Sequence, residues 1–342
     1  MNSNRERFET ELPGHFFLDV EVEQVETYLI DQGVVPRKRL FKEGTTVAQV
    51  EPIDLSETDF AVRVHFGEGA QPHGPSVLIK QARPWARQDP ELGAPVSRSR
   101  AEAGFLKMMS RVPILAHRSP KLIHHDAANH ILILQDFGES ADLRGLYQGD
   151  TFNREVNDGE QLLTTIVKYL DTLHSHFFMN PPVRPVVNKG MRKYRHSLMF
   201  DSPFRENKMQ LDSTAQKRVS ELGNRYLDIK AGGTLLHGNF SFGNMRICAD
   251  EAQTLLFTDS MSCITGPPEY DFGVLSAHLH LTGNGSMVDQ AKSLYSGKLE
   301  ESLWKGFAGV EIVSQISNST TLSQISLGQE LLLKTGKNLL IE

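Results

Sequence analysis

Apolar positions follow two regimes along this chain. Over residues 20–32, Val22, Val25, Tyr28 and Leu29 recur at helical spacing and predict an amphipathic helix. Residues 47–50, 60–64 and 77–80 are short β-branched runs bounded by turn formers, which reads as strands. Residues 98–109 read as a helix, and Ile131-Leu132-Ile133-Leu134-Gln135 as a buried strand. Beyond about Phe137 the period lengthens. Leu162, Ile166, Leu170 and Leu173 place a buried face on a helix over residues 161–177, and residues 288–307 and 323–340 also read as helices. The order predicts an α+β chain in two lobes. A β-rich lobe over residues 1–136 holds a five-stranded sheet plus a helix, and a mainly helical lobe occupies residues 137–342.

Composition narrows the class. The chain has 342 residues, 39% hydrophobic and 23% charged, the balance of a globular protein with sizeable cores. Its net charge of -6 is spread over mixed acids and bases, so neither nucleic acid nor an anionic membrane is expected as partner. Only Cys248 and Cys263 are present, which makes no disulfide framework. The polar N-terminus lacks the apolar segment of a signal peptide, and no apolar run reaches membrane-spanning length. The expected setting is a reducing cytoplasm and the expected partner a small-molecule substrate, with a homodimer left open. The histidines at 124–125, 174 and 176, and 278 and 280 lack metal-ligand spacing. Arg184, Lys189, Arg192, Lys193 and Arg195 form a basic run that reads as a solvated face, with an anionic ligand as the alternative. Cys263 lies near Asp259 but has no local base to make it a nucleophile.

Three groups of residues could carry chemistry. Lys80 ends a strand and Glu102 lies in the next helix; such a pair steadies nucleotide phosphates, although Lys-Glu combinations are also common on surfaces. His237-Gly238-Asn239 with Asn244 has the form of a catalytic loop, or simply of a turn-rich loop. Asp259 follows the apolar run Leu255-Leu256-Phe257, where an acid can meet Mg²⁺ or merely cap a turn. Asp271, before Phe272-Gly273, would brace the catalytic loop by hydrogen bonding.

In this order the segments resemble the aminoglycoside-phosphotransferase and choline-kinase superfamily, and within it the methylthioribose kinases. The likeness rests on residues 76–87 around Lys80, 98–103 around Glu102, 188–191, 198–204, the His237 loop, and Gly266-Pro267 with Tyr270-Asp271-Phe272-Gly273. It implies a two-lobed protein-kinase-like fold and ATP with Mg²⁺ as cofactors. It further implies a hinge at Gln135 to Phe137 meeting the adenine, Lys80 and Glu102 serving the phosphates, and Asn244 and Asp259 facing the metal. His237, Asn239 and Asp259 fall at catalytic positions. The reaction implied is transfer of the ATP γ-phosphate to a hydroxyl of a small sugar-like metabolite.

Four departures fall on functional positions. Asn239 stands where the family has its catalytic aspartate, and an amide cannot accept a proton near neutral pH. Asp259-Ser260-Met261 replaces Asp-x-Glu, putting a soft thioether where a hard oxygen serves Mg²⁺. Residues 51–60 lie where the family has a glycine-rich turn, yet contain no glycine; Asp54, Glu57 and Asp59 there would repel a polyanion. Gly44 is the alternative loop glycine. Ser314-Gln315 replaces the paired arginines that help methylthioribose kinases hold their sugar, which argues against methylthioribose itself. Two functions therefore stand side by side: a phosphotransferase, and a degenerate kinase scaffold that binds a metabolite or partner or runs a non-kinase reaction.

Overall fold

The computed structural model describes every residue except 1, 35–44, 69–70, 88, 149–158, 208, 210, 230–232, 250–253 and 318–327. The chain forms two compact units, residues 1–112 with 119–138, and residues 113–118 with 139–342. The short helix α4 (Pro113–His117) thus groups with the second unit, although it precedes the last two strands of the first.

The first unit is built on a five-stranded antiparallel sheet in the order β1-β2-β3-β5-β4. Its strands are β1 (Thr46–Pro52), β2 (Phe60–Glu68), β3 (Gln71–Gln81), β4 (Leu122–Asp126) and β5 (Ile131–Gln135). Side chains alternate across a strand. Val62, Val64, Val77, Ile79, Ile131 and Ile133 turn to one face and pack with Val25, Tyr28 and Leu29 of α2 (Val22–Asp31). Lys80 has the opposite parity to Val77 and Ile79 and so lies on the other face. Glu102 of α3 (Arg98–Met109) meets it there. An N-terminal helix, α1 (Asn2–Glu11), escapes the apolar pattern because it is polar apart from Phe8. That one ring is fully buried, with Phe17 and Trp85 at centroid distances of 5.2 and 6.4 Å.

The second unit carries a three-stranded sheet, β6 (Ser140–Asp142), β8 (Met245–Cys248) and β9 (Leu255–Phe257), and a pair, β7 (Thr234–Leu236) with β10 (Ile264–Gly266). Around them stand α5 (Gly159–Met179), α6 (Lys189–His196), α7 (Ser213–Leu227) and α8 (Pro268–Leu281). The helix predicted over residues 288–307 is two helices, α9 (Val288–Leu294) and α10 (Glu301–Ser317). Tertiary bonds take over at the break: Asp171 accepts from the Ser296 amide at 3.0 Å, and Glu269 from the Glu300 amide at 3.0 Å. The last helix, α11, covers Gln329–Ile341; the earlier part of the predicted 323–340 segment falls on residues outside the description. Among the described residues no helix is long and apolar enough to cross a membrane.

α10 and α11 meet at two glycines. A Cβ on Gly309 would stand 2.6 Å from the Gly336 carbonyl oxygen and 2.9 Å from the Leu340 nitrogen, so backbone would have to move. A Cβ on Gly336 would meet only side chains of Ile312 and Val313, at 3.0–3.2 Å. Overpacking of this kind costs about 1–3 kcal/mol. Gly309→Val is therefore expected to lower the melting temperature clearly, and Gly336→Ala by much less, in a thermal melt of the whole chain.

Candidate nucleotide and catalytic residues

Lys80 sits in a closed box of charge within the first unit. Its ammonium donates to both Glu102 oxygens, at 2.9 and 3.1 Å, and lies 3.5 Å from Asp59 Oδ2. Arg98, opening α3, donates Nε to Asp59 Oδ1 at 2.6 Å. All four side chains are at most 2% exposed. Burial pushes the Asp59 carboxyl up, but the charges of Arg98 and Lys80 outweigh it and hold it below the ordinary carboxylate value. The expectation that Asp59 repels a polyanion from an open loop is thus corrected: it is buried and paired. Asp54 is ion-paired with Arg87 and exposed, and Glu57 is exposed. The loop joining β1 to β2 is residues 53–59 and has no glycine; Gly44 precedes β1 and lies outside the described residues.

At the far end of β5 lie the predicted hinge residues. Gln135 is exposed and Phe137 half-buried. Between them Asp136 accepts from Ser76 Oγ at 2.6 Å and pairs with Arg63 Nε at 2.9 Å. Arg63 also donates to the Gly138 carbonyl at 2.8 Å. Arg63 thus ties this segment back to β2 through the Asp136 carboxylate and the Gly138 carbonyl. The register sets Gln135 opposite Val77, three residues along β3 from Lys80.

In the second unit the structure brings His237, Asn239, Asn244 and Asp259 together. Asp271, in the first turn of α8, accepts from the His237 amide at 2.7 Å and the Gly238 amide at 2.9 Å. His237 is 1% exposed, and its Nε2 faces the Thr258 carbonyl at 3.0 Å, so Nε2 carries the proton there. Burial holds the His237 ring below its usual value, although Asp271 and Asp259 pull the other way. It is a framework residue. Gly238 has φ +79°, and a Cβ there would fall 2.1 Å from the Ser262 carbonyl oxygen, so only glycine fits. Asn244 Nδ2 donates to the Asn239 carbonyl at 2.9 Å, and the Thr258 amide to the Asn244 carbonyl at 2.8 Å. This frame leaves the Asn239 side chain half-buried rather than locked away.

Asp259 adopts the left-handed conformation, φ 60° and ψ 42°, a strained state for a residue with a Cβ. Asn188 holds the turn after it by donating to the Met261 and Cys263 carbonyls at 2.8 and 3.0 Å. Met261 is 2% exposed and Cys263 fully buried. Asn244 and Asp259 offer hard oxygens that suit Mg²⁺, while Met261 offers a buried thioether that does not. The Ser314-Gln315 pair on α10 is spent on structure: Ser314 donates to the Leu198 carbonyl at 3.2 Å and Gln315 to Glu311 at 2.8 Å. The solvated basic face holds only for Arg184, Lys189 and Lys193. Arg192 is buried and donates to the Tyr226 and Thr265 carbonyls at 2.7 Å each, and Arg195 stands 3.8 Å from buried Glu311. Burial pushes the Glu311 carboxyl up, but His278 and Arg195 outweigh it and hold it down to about 2.

A unit with a five-stranded antiparallel sheet and a lysine-glutamate pair, and a mainly helical unit with an aspartate-braced loop, define a two-lobed α+β chain of the protein-kinase-like fold. Solved structures share it. The choline kinase LicA from Streptococcus pneumoniae is 10% identical with a TM-score of 0.52, over 93% of this chain and 99% of that one. LicA in complex with AMP gives a TM-score of 0.55 at 10% identity, over 93% and 97%. Spectinomycin phosphotransferase APH(9)-Ia, in complex with ADP and spectinomycin, gives 0.50 at 12%, over 94% and 95%. At these identities the likeness shows the fold alone. No protein-family model matches the chain, and no curated protein sequence is significantly similar to it.

Four histidines, His125, His130, His237 and His280, are held below 6.5 chiefly by burial. The unfolded chain binds these protons near pH 6.5 and the folded one does not, so their stabilising share is complete above that value and is lost as pH falls through the folded values. The melting temperature is expected to drop between pH 7.5 and 5.5, and His237→Gln to flatten that slope in melts across the same range. Asp271→Asn leaves one loop amide facing an NH₂ group. A cost of about 2–4 kcal/mol in denaturant unfolding is expected, because one of two buried charge-assisted bonds is lost and the other loses its charge.

Proposed function

We propose that this chain is a small-molecule phosphotransferase, carrying the γ-phosphoryl group of ATP to a hydroxyl of a small sugar-like metabolite, with methylthioribose itself poorly accepted. The observation that carries this reading is the complete hydrogen-bonded frame around position 239, from Asp271 through His237 and Gly238 to Asn244. The frame holds the backbone on both sides of Asn239 and supports a role for that half-buried side chain in meeting a ligand.

Each residue then has a task. Asn239 orients the acceptor hydroxyl through its amide oxygen but leaves the proton to solvent. Lys80, held by Glu102, steadies the phosphates. Asn244 and Asp259 would hold Mg²⁺ through one oxygen each, and the ion when bound would neutralise phosphate charge. Phosphoryl transfer depends more on positioning and charge neutralisation than on a base. Its loss costs about 10²–10⁴ in rate, which slows this chain without silencing it. The AMP and ADP complexes of the fold relatives support a nucleotide as the shared ligand class. The second reading, a degenerate scaffold, is favoured by one observation: Asp59 already fills the counter-charge position at Lys80.

Asn239→Asp restores the base and is expected to raise ADP formation from Mg·ATP by about 10² or more over a panel of sugars. The wild type should show slow but measurable turnover. If neither protein forms ADP above the enzyme-free rate, the phosphotransferase reading is wrong and the degenerate one stands.

A further inference from the structure

The loop between β1 and β2 does the reverse of what a phosphate-binding loop does. Such a loop leaves backbone N–H groups open to an anion. Here Ser56 Oγ takes the amides of Thr58 and Asp59, at 3.3 and 3.2 Å. Arg87 Nε donates to the Ser56 carbonyl at 2.8 Å, and Arg98 Nη2 to the Thr58 carbonyl at 3.1 Å. Leu55 and Ser56 are buried at 6% and 4% exposure, so the loop is tucked inward. Its last residue then delivers a carboxylate to both Lys80 and Arg98. Lys80 and Arg98 thus each have a carboxylate partner, and all four side chains, Glu102 included, are buried.

We propose that Asp59 is an internal phosphate surrogate: its carboxylate occupies the place a nucleotide phosphate would take on Lys80 and Arg98, and polyphosphate binds only by displacing it. The inference rests on the nucleotide site proposed above and names the residue that sets its ligand charge. In the resting chain a nucleoside gains nothing from carrying a triphosphate, because the cations that would reward it are already paired. Removing the Asp59 charge releases the Arg98 guanidinium and takes one of the carboxylates from Lys80, which stays paired with Glu102. The guanidinium presents a planar fork suited to phosphate oxygens.

The test is calorimetric binding of ATP and of adenosine to the full chain, wild type beside Asp59→Asn and Asp59→Glu. Wild type and the charge-keeping Glu variant are expected to bind ATP no more tightly than adenosine. Asp59→Asn should gain about tenfold or more for ATP and nothing for adenosine. If Asp59→Asn fails to fold, the wild-type comparison decides by itself: ATP bound about tenfold tighter than adenosine overturns the surrogate. Equal ATP affinity in wild type and Asp59→Asn overturns it too, and leaves the nucleotide site standing. Absence of binding by both ligands to every protein overturns the surrogate and the nucleotide site together.

Discussion

The first unit turns on a buried quartet, Asp59, Lys80, Arg98 and Glu102. Taking four ionised groups out of water is costly, and attraction between them offsets this only when geometry is good and the remaining polar atoms are satisfied. Both conditions hold. Glu102 chelates the ammonium, and Arg98 spends its other nitrogens on the carbonyls of Pro95 and Thr58. The quartet ties three elements together, since Asp59 leads into β2, Lys80 ends β3, and Arg98 and Glu102 lie on the first turns of α3. Removing one member leaves an uncompensated charge behind, which is costly. A substitution that keeps shape and drops charge is gentler than truncation.

The second unit answers to a different constraint. Its catalytic-type loop turns sharply at Gly238, and one carboxylate, Asp271, satisfies the two amides that the turn leaves without partners. A helix N-terminus is where a carboxylate is favoured, and Asp271 lies in the first turn of α8. The frame is independent of what stands at position 239. That is why an amide there is tolerated: Asn239 contributes its backbone carbonyl to the frame through Asn244, while its side chain takes no part. Fold and chemistry are separable at this residue.

Much of this was legible in the sequence because the signals are local. Residues 98–109 and 131–135 form the predicted helix and strand, since their periodicity and punctuation agree with their packing. The helix over 288–307 failed because Tyr295 to Glu300 is held by Asp171 and Glu269, partners far away in the chain that no window contains. The α1 helix failed because a single buried ring gives no period. The fold was readable from several ordered motifs. The direction in which Asp59 points was not, because an acid in a polar loop reads as solvated until Arg98, 39 residues on, is seen to receive it. The same holds for Arg192, which a charge run suggests is exposed and which backbone carbonyls bury.

The departures form a pattern in charge. The resembled family carries carboxylates at positions 239 and 261, and this chain has an amide and a thioether there. Metal affinity for a hard cation falls with each anionic oxygen removed, so a nucleotide held here would draw less of its neutralisation from Mg²⁺ and more from fixed cations. Beside Lys80 the described residues place a second cation, Arg98, on the same carboxylate. Asp59 is the one carboxylate partner of Arg98 among the described residues, and its other bonds go to neutral carbonyls. Under the nucleotide reading proposed above, the share of phosphate charge that protein rather than metal must meet would rise. Asp59, buried between Arg98 at 2.6 Å and Lys80 at 3.5 Å, is the charge such a ligand would have to outcompete.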